Sequence, residues 1–279
     1  MRFAINVPNF GEFADVRAMA ELAREAEEAG WDGFFIWDHI GSDWQAPVAD
    51  PWVLLAAMAM TTQRITLAPL VTPLPRRRPW KLARETVTLD HLTNGRLVLG
   101  VGIGSDFGRE YSAYGEPADD KLHGAMLDEA LAVLQGLWSG EQFSYSGQHY
   151  TIREARFLPR PVQQPRIPIW VAGYWPNKRP LRRAAQWDGV VPIRKDEQPV
   201  TPEDCRAVLA YVNEHRASAD PFDLVVAGFV GNLETAEATA KLDEYAAAGV
   251  TWWQEGFLPG DTRAALRERI RQGPPRLSS

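Results

Sequence analysis

Gly33-Phe34-Phe35-Ile36-Trp37-Asp38-His39 turns a short apolar run into a polar end. Arg96-Leu97-Val98-Leu99 does the same, running into Gly100-Val101-Gly102-Ile103-Gly104-Ser105. Both runs read as strands of a parallel sheet. Barrels and open α/β sheets place their chemistry at the carboxyl ends of such strands. A histidine beside a carboxylate there is a candidate proton handler. A glycine-rich end lets something flat or anionic approach the backbone.

Outward from these two runs, strand and helix signals alternate with short loops. Strands are expected over 3–8, 33–37, 65–71, 97–101, 167–172, 189–193, 224–230 and 250–255. Helices are expected over 15–29, 51–62, 79–92, 177–186, 201–215, 234–248 and 261–272. In the first helix Val16, Met19, Ala20, Leu22, Ala23 and Ala26 fall at helical spacing, and Gly30 stops it. Thr201-Pro202-Glu203-Asp204 supplies a capping threonine, a first-turn proline and acids that suit the helix dipole. The fourth strand is followed by a long excursion, with a helix over 121–138 and a ribbon near 143–152 that turns at Ser146-Gly147. Eight βα units imply an α/β fold, a single (β/α)8 TIM barrel, and 279 residues suit one such barrel. The expected organisation is one domain over 1–279, with an insertion at about 105–160 and a flexible tail over 273–279.

Lys and Arg total 30 against 36 Asp and Glu, a net charge of −6 that argues against a general nucleic-acid binder. The single cysteine, Cys205, forms no intrachain disulfide and reads as a packing residue. The first seven residues do not read as a signal peptide, and no apolar run approaches the length of a membrane span. A cytoplasmic protein is the expectation.

Gly100-Val101-Gly102-Ile103-Gly104 has three readings. A dinucleotide fingerprint would need the third glycine to open a helix, and would follow the first strand rather than the fourth. The other two are tight barrel packing and a flat cofactor lying over the strand end.

Taken together, several segments resemble the luciferase-like monooxygenase superfamily of flavin-dependent enzymes. The matching pieces are Glu25 to Gly33, Trp37-Asp38-His39, Thr72 to Pro79, Gly95 to Gly102, Phe157 to Gln163 and Ile167 to Gly173. The resemblance covers nearly the whole chain. It implies a (β/α)8 barrel using FMN or the 5-deazaflavin coenzyme F-420, acting on a small-molecule substrate. It also implies a homodimer and a reductase partner supplying reduced cofactor. His39 resembles the histidine that serves near the flavin as base or hydrogen-bond donor, and Asp38 the neighbouring carboxylate that meets the deazaflavin. Pro69-Leu70 matches a segment that often carries a bulge with a non-proline cis peptide. Gly102, Gly104 and Ser105, with Ala172, Gly173 and Tyr174, resemble segments flanking the ring and its ribityl chain. The chain departs from both reference branches. Ser105 stands where the deazaflavin sugar-phosphate dehydrogenases have a glutamate, and Ile103 where bacterial luciferases have an arginine.

The residues also carry expectations of their own. Asn177, Lys178 and Arg179 open a helix, which suits a cofactor phosphate or a solvated helix face. Arg76, Arg77 and Arg78 follow the third strand and either steer an anion or, for at least two of them, form a solvated charge run. Asp38 either orients His39, binds the ring edge or forms a barrel-rim salt bridge. Phe10, Trp44, Arg194 and Glu255 lie just past strand ends and are substrate-pocket candidates. The excursion is expected to cover the pocket. No metal site is expected: a metal hydrolase would want a His-x-His pair at a strand end. A Schiff-base aldolase would want an inward lysine on a strand. The leading function is a flavin- or deazaflavin-dependent oxidoreductase with His39 and Asp38 as its catalytic pair. A flavin-binding barrel without turnover and an unrelated barrel enzyme are the alternatives.

Overall fold

Five helices begin on a side chain that takes up N–H groups the helix leaves unpaired. Asp15 accepts from Arg17 and Ala18, Asp50 from Trp52 and Val53, and Asp119 from Lys121 and Leu122. Thr262 accepts from Ala265, and Thr201 with Asp204 forms a full capping box. The computed structural model describes residues 1–41, 45–196 and 198–278. In chain order the helices are α1 (Val16–Glu28), α2 (Pro51–Thr61), α3 (Pro79–Thr93), α4 (Asp120–Trp138), α5 (Lys178–Ala184), α6 (Pro202–His215), α7 (Thr235–Ala247) and α8 (Arg263–Arg271). Among the described residues no helix is long and apolar enough to cross a membrane.

The main strands are β1 (Arg2–Val7), β2 (Gly33–Ile36), β3 (Thr66–Pro69), β4 (Thr72–Pro73), β5 (Leu99–Gly102), β8 (Ile169–Trp175), β9 (Gly189–Arg194), β10 (Asp223–Gly228) and β11 (Trp252–Gly256). The order is β3-β2-β1-β11-β10-β9-β8-β5-β4, with every pairing between neighbours parallel. β3 falls within the strand expected over 65–71, and β4 carries the same direction on past its end. They part at Leu70–Val71, whose peptide is cis, one residue beyond the segment the sequence pointed to. The ring closes across this break. β4 pairs with β5, and on the β3 side Val98 N donates to Leu67 O while Leu67 N donates to Arg96 O. A Cβ at Gly100 would lie 2.4 Å from Pro69 O, so only glycine lets β5 approach the bulge.

Both faces of the strands are apolar. Phe34 and Ile36 pack outward against the helices, while Phe35 points into the barrel. There Phe35, Trp170 and Trp252 meet pairwise with ring centroids 5.4 to 5.7 Å apart, and Ala4, Ala68 and Ala172 make room for them. Three indole and phenyl groups thus fill the barrel and leave its carboxyl end to the site. Above them, Asn6 Nδ2 donates to Gln254 Oε1 at 2.7 Å.

The excursion carries α4 and the ribbon β6 (Phe143–Ser146) and β7 (Thr151–Ala155). The ribbon packs against α3 and α4, with the Tyr150 ring edge-on to Trp80 and the Glu129 carboxylate accepting from the N–H groups of Gln148, His149 and Tyr150. The last residues make contacts with α7 and the core. Arg276 O accepts from Thr239 Oγ1, Ser278 N donates to Asp243, and Leu277 packs on the core. Cys205 is buried on α6, and burial pushes its thiol up to about 12, which leaves it an unreactive packing group.

Candidate active site

A cavity of about 640 Å³ opens at the carboxyl ends of β2, β4, β5, β8 and β9. The bulge contributes Leu70 and Val71 to one wall, and β5 contributes Gly102. Gly104, at φ +73°, turns the chain under Tyr111. A Cβ there would sit 2.6 Å from the Tyr111 hydroxyl and 2.9 Å from Pro73 Cβ. Tyr111 Oη donates to Ile103 O and fixes that turn. The opposite wall is Ala172, Gly173 and Tyr174, and the mouth is basic, with Lys121, Lys178, Arg179 and Arg183.

His39 projects from the end of β2 into this cavity. Its backbone is clamped by Asn9, which accepts from His39 N at 3.1 Å and donates to His39 O at 2.8 Å. The Phe10 ring packs edge-on against the imidazole, 5.8 Å away. Glu110 Oε2 lies 3.0 Å from His39 Nδ1. The other Glu110 oxygen accepts from Ile40 N and Gly41 N, and Arg76 Nη1 donates to Oε2 at 2.6 Å. Burial pushes the Glu110 carboxyl upward. The hydrogen bond and charge of His39, then the charge of Arg76, outweigh it and hold the group at about 2. An ionised carboxylate only accepts, so His39 Nδ1 carries the hydrogen of this contact.

Of the three parts the sequence left open for Asp38, the contacts it makes are those of the salt bridge. Its side chain is fully buried and meets Arg77 Nη2 with both oxygens, at 2.8 and 2.6 Å, and Arg76 Nη2 at 3.1 Å. It holds arginines, while Glu110 holds the imidazole. Arg76 and Arg77 are correspondingly inside, with side chains 5% and 17% exposed. The reading of at least two solvated arginines is therefore corrected: among the three, only Arg78 is exposed.

Asp38, His39, Leu70, Gly102, Gly104, Ser105, Ala172, Gly173, Tyr174, Asn177, Lys178 and Arg179 all line the cavity. Pro69 lies just behind the wall, where its carbonyl meets β5. Phe10 backs His39 rather than lining the cavity. Arg194 is tied to Asp196 and Asp204 and does not line it. Glu255 is corrected as a pocket residue. On β11 it is Trp252 and Gln254 that face the barrel interior. Glu255 faces α8, accepting from Val230 N and Gly231 N with Arg269 3.7 Å away. Trp44 falls outside the described residues. The excursion lines the cavity only through its first part, up to Gly124, and the ribbon does not reach it. Sequence reasoning missed Glu110 and Lys121. Glu110 sits between Arg109 and Tyr111 in an irregular loop, where neither spacing nor composition marks it.

A family model described as luciferase-like monooxygenase matches residues 1–274. An F420-dependent glucose-6-phosphate dehydrogenase of Beutenbergia cavernae is 37% identical over 158 residues, 54% of this chain and 45% of its own length. The chain thus matches under half the length of that relative. An uncharacterized protein of Mycobacterium tuberculosis is 28% identical over 272 residues, 90% of each chain. The coenzyme F420 dependent tetrahydromethanopterin reductase of Methanopyrus kandleri superposes with a TM-score of 0.78 at 18% identity, covering 98% of this chain and 97% of that one. An F420-dependent secondary alcohol dehydrogenase gives 0.80 at 15% identity, covering 100% and 99%. At such identities the likeness shows the α/β barrel fold.

Proposed function

We propose, for a chain that belongs to the luciferase-like monooxygenase family, an oxidoreductase that uses a deazaflavin of the F-420 type for hydride transfer to or from a small organic substrate. The observation that carries this reading is the pairing of His39 with the ionised Glu110 at the wall of the cavity. The cavity fits such a cofactor. Its volume lies in the range of ligand sites, about 300–1,000 Å³. Gly102 and Gly104 leave a flat approach, and the basic mouth suits a phosphate. Once bound, the deazaflavin supplies a two-electron hydride centre. The partial identity to an F420-dependent dehydrogenase supports this branch over FMN.

Within the site, His39 gives or takes the substrate proton through Nε2. Glu110 stabilises the imidazole when it is charged and fixes its orientation. Leu70, Val71 and Ala172 exclude water from the ring-binding space. Lys178, held over the Trp175 and Tyr211 rings with Nζ 4.4 Å from each centroid, is positioned to pair with the cofactor phosphate. Ser105 brings no carboxylate of its own to the wall, which leaves His39 as the proton handler of this reading, and the substrate class proposed is a small alcohol, imine or enone. The working unit is a homodimer. α2 is apolar on all sides, yet Val53 and Met60 are 56% and 68% exposed.

The test is a fluorescence titration of the apo-protein with oxidised and reduced FMN and with the deazaflavin coenzyme. Tight deazaflavin binding with weak FMN binding is the expected result. Preference for reduced FMN would make the chain a two-component monooxygenase fed by a reductase. Binding of neither would end the cofactor assignment and the role of His39.

A further inference from the structure

The nine strands of the barrel occupy eight positions, with β3 and β4 sharing one. In that ring β9 stands opposite β2, and β10 stands opposite the break between β3 and β4. A flat group lying over Leu70 and Val71, beside His39, therefore turns its free face towards β9 and β10. A substrate that meets both the flat group and His39 sits against this far wall.

The far wall is open and apolar. Neighbours along a strand alternate between its two faces. Val191 and Val225 point inward with Phe35, Trp170 and Trp252, so Ile193 and Ala227, two residues on, point inward above them. Among the described residues, β9 and β10 pair at Gly189–Asp223 and Val190–Leu224 and at no later position. Beyond these pairs the strands part, and Ala227 is exposed although it lies within a strand. Ile193 is 44% exposed and Phe229 49%. The Phe229 ring also turns inward: a Cβ on Gly256, an inward position of β11, would lie 3.0 Å from it. Ile193 lines the active-site cavity together with His39, and so does Tyr174, its register partner on β8. Large apolar side chains left exposed together mark a contact surface.

Charge is missing from this wall. Above the three aromatic rings, the inward positions of β9, β10 and β11 are Ile193, Ala227, Gln254 and Gly256, none of them ionisable. Arg194 is held by Asp196 and Asp204, and Lys195 comes only past the end of β9. The lysines and arginines that line the cavity belong to α4 and α5 instead. A charged group pressed against the far wall would lose water and gain no partner.

We infer that Ile193, Ala227 and Phe229 seat an uncharged apolar tail of the substrate, attached to its reacting carbon, and that the small side chain of Ala227 sets how much tail fits. The inference rests on the cofactor reading above and deepens it by naming the substrate class: an alcohol, imine or enone carrying a hydrocarbon chain or ring.

The experiment measures the binding of unreactive carbonyl analogues to the protein saturated with deazaflavin coenzyme, followed by coenzyme fluorescence. The probes are the straight-chain amides from acetamide to hexanamide, and succinamate, which is similar in length to pentanamide but ends in a carboxylate. Affinity is expected to rise by up to about fourfold with each added methylene, the worth of burying one CH₂ group. Succinamate should bind more weakly than pentanamide. Ala227→Leu should flatten the rise with chain length. Ile193→Lys should turn the preference towards succinamate, a gain that a fault in folding does not produce. Affinity independent of chain length, no binding of any amide, or a preference of the unaltered protein for succinamate would overturn the apolar wall. Each of these is read with the coenzyme already bound, so the cofactor reading would stand. A protein that takes up no coenzyme would overturn both.

Discussion

Glu110 Oε2 and His39 Nδ1 lie 3.0 Å apart, joining two residues 71 positions apart in sequence at the wall of one cavity. The carboxylate is anchored by two backbone N–H groups and Arg76, so the imidazole answers to a fixed anion. Removing His39 with His39→Ala should lower kcat by about 10²–10⁴, the usual worth of a general acid or base. Glu110→Gln keeps the shape but no longer offsets a charged imidazole. It should cost about 10- to 100-fold in kcat, a loss set below that of His39→Ala because the base itself remains. A kcat for Glu110→Gln equal to that of the unaltered enzyme would remove this carboxylate from the catalytic machinery.

Acid stability should report the same carboxylate. Glu110 is held at about 2, below its ordinary 4.5. A depressed carboxyl stabilises the fold fully above 4.5, and the contribution fades as pH falls towards 2. At about 1.36 kcal/mol per unit it is worth up to about 3 kcal/mol at neutral pH. Urea unfolding of the unaltered chain and of Glu110→Gln should therefore show a gap at pH 7 that narrows by pH 3. A gap independent of pH would assign the loss to packing.

Much of the barrel was legible because the strands are short and apolar and most of them lead into a helix with a readable start. Asp15, Asp50 and Thr201 mark helix starts that the structure places where the sequence does. The cavity wall was legible for a related reason: glycines and the Asp38-His39 pair interrupt apolar runs at strand ends. What was not legible is partnership. Asp38 is adjacent to His39 in sequence, but neighbours on an extended chain point to opposite sides, so its carboxylate turns to Arg76 and Arg77. Glu255 failed by the same parity, one residue from the inward-facing Gln254. Glu110 reaches the site through an irregular loop, where no period connects sequence position to direction.

Arg77 should be a stability residue. It meets the fully buried Asp38 carboxylate with both oxygens. Arg77→Ala would leave that anion with Arg76 alone, and breaking a buried pair typically costs about 3–5 kcal/mol. Arg78→Ala, one residue on and exposed, should stay within about 0.5 kcal/mol. Chemical denaturation of the two variants checks this contrast. Equal losses would mean that the pair with Asp38 contributes nothing specific.

Gly104→Ala tests the turn beneath the cofactor space. The backbone there is left-handed at φ +73°, and the new methyl would meet Tyr111 and Pro73 inside normal contact distance. A non-glycine residue in this region costs about 1–3 kcal/mol, before any displacement of Tyr111. Coenzyme affinity should fall along with stability, because the same turn forms the wall. Gly115→Ala, at φ +75° with nothing within 4 Å of the new methyl, should lose stability without losing coenzyme affinity. Comparable binding losses in both would detach the turn at Gly104 from the site.

The ribbon separates cover from scaffold. Glu129 is the one carboxylate that gathers the N–H groups of Gln148, His149 and Tyr150. These hydrogen bonds outweigh the effect of burial and lower its pKa. None of these residues lines the cavity. Glu129→Ala should therefore release the ribbon turn and destabilise the fold by about 1–3 kcal/mol, the cost of leaving such groups without a partner. Coenzyme affinity should stay within about twofold, below the tenfold that 1.4 kcal/mol would represent. Thermal unfolding and the deazaflavin titration measured side by side decide the matter. A large fall in coenzyme affinity with an unchanged melting temperature would return the ribbon to the role of a cover over the site.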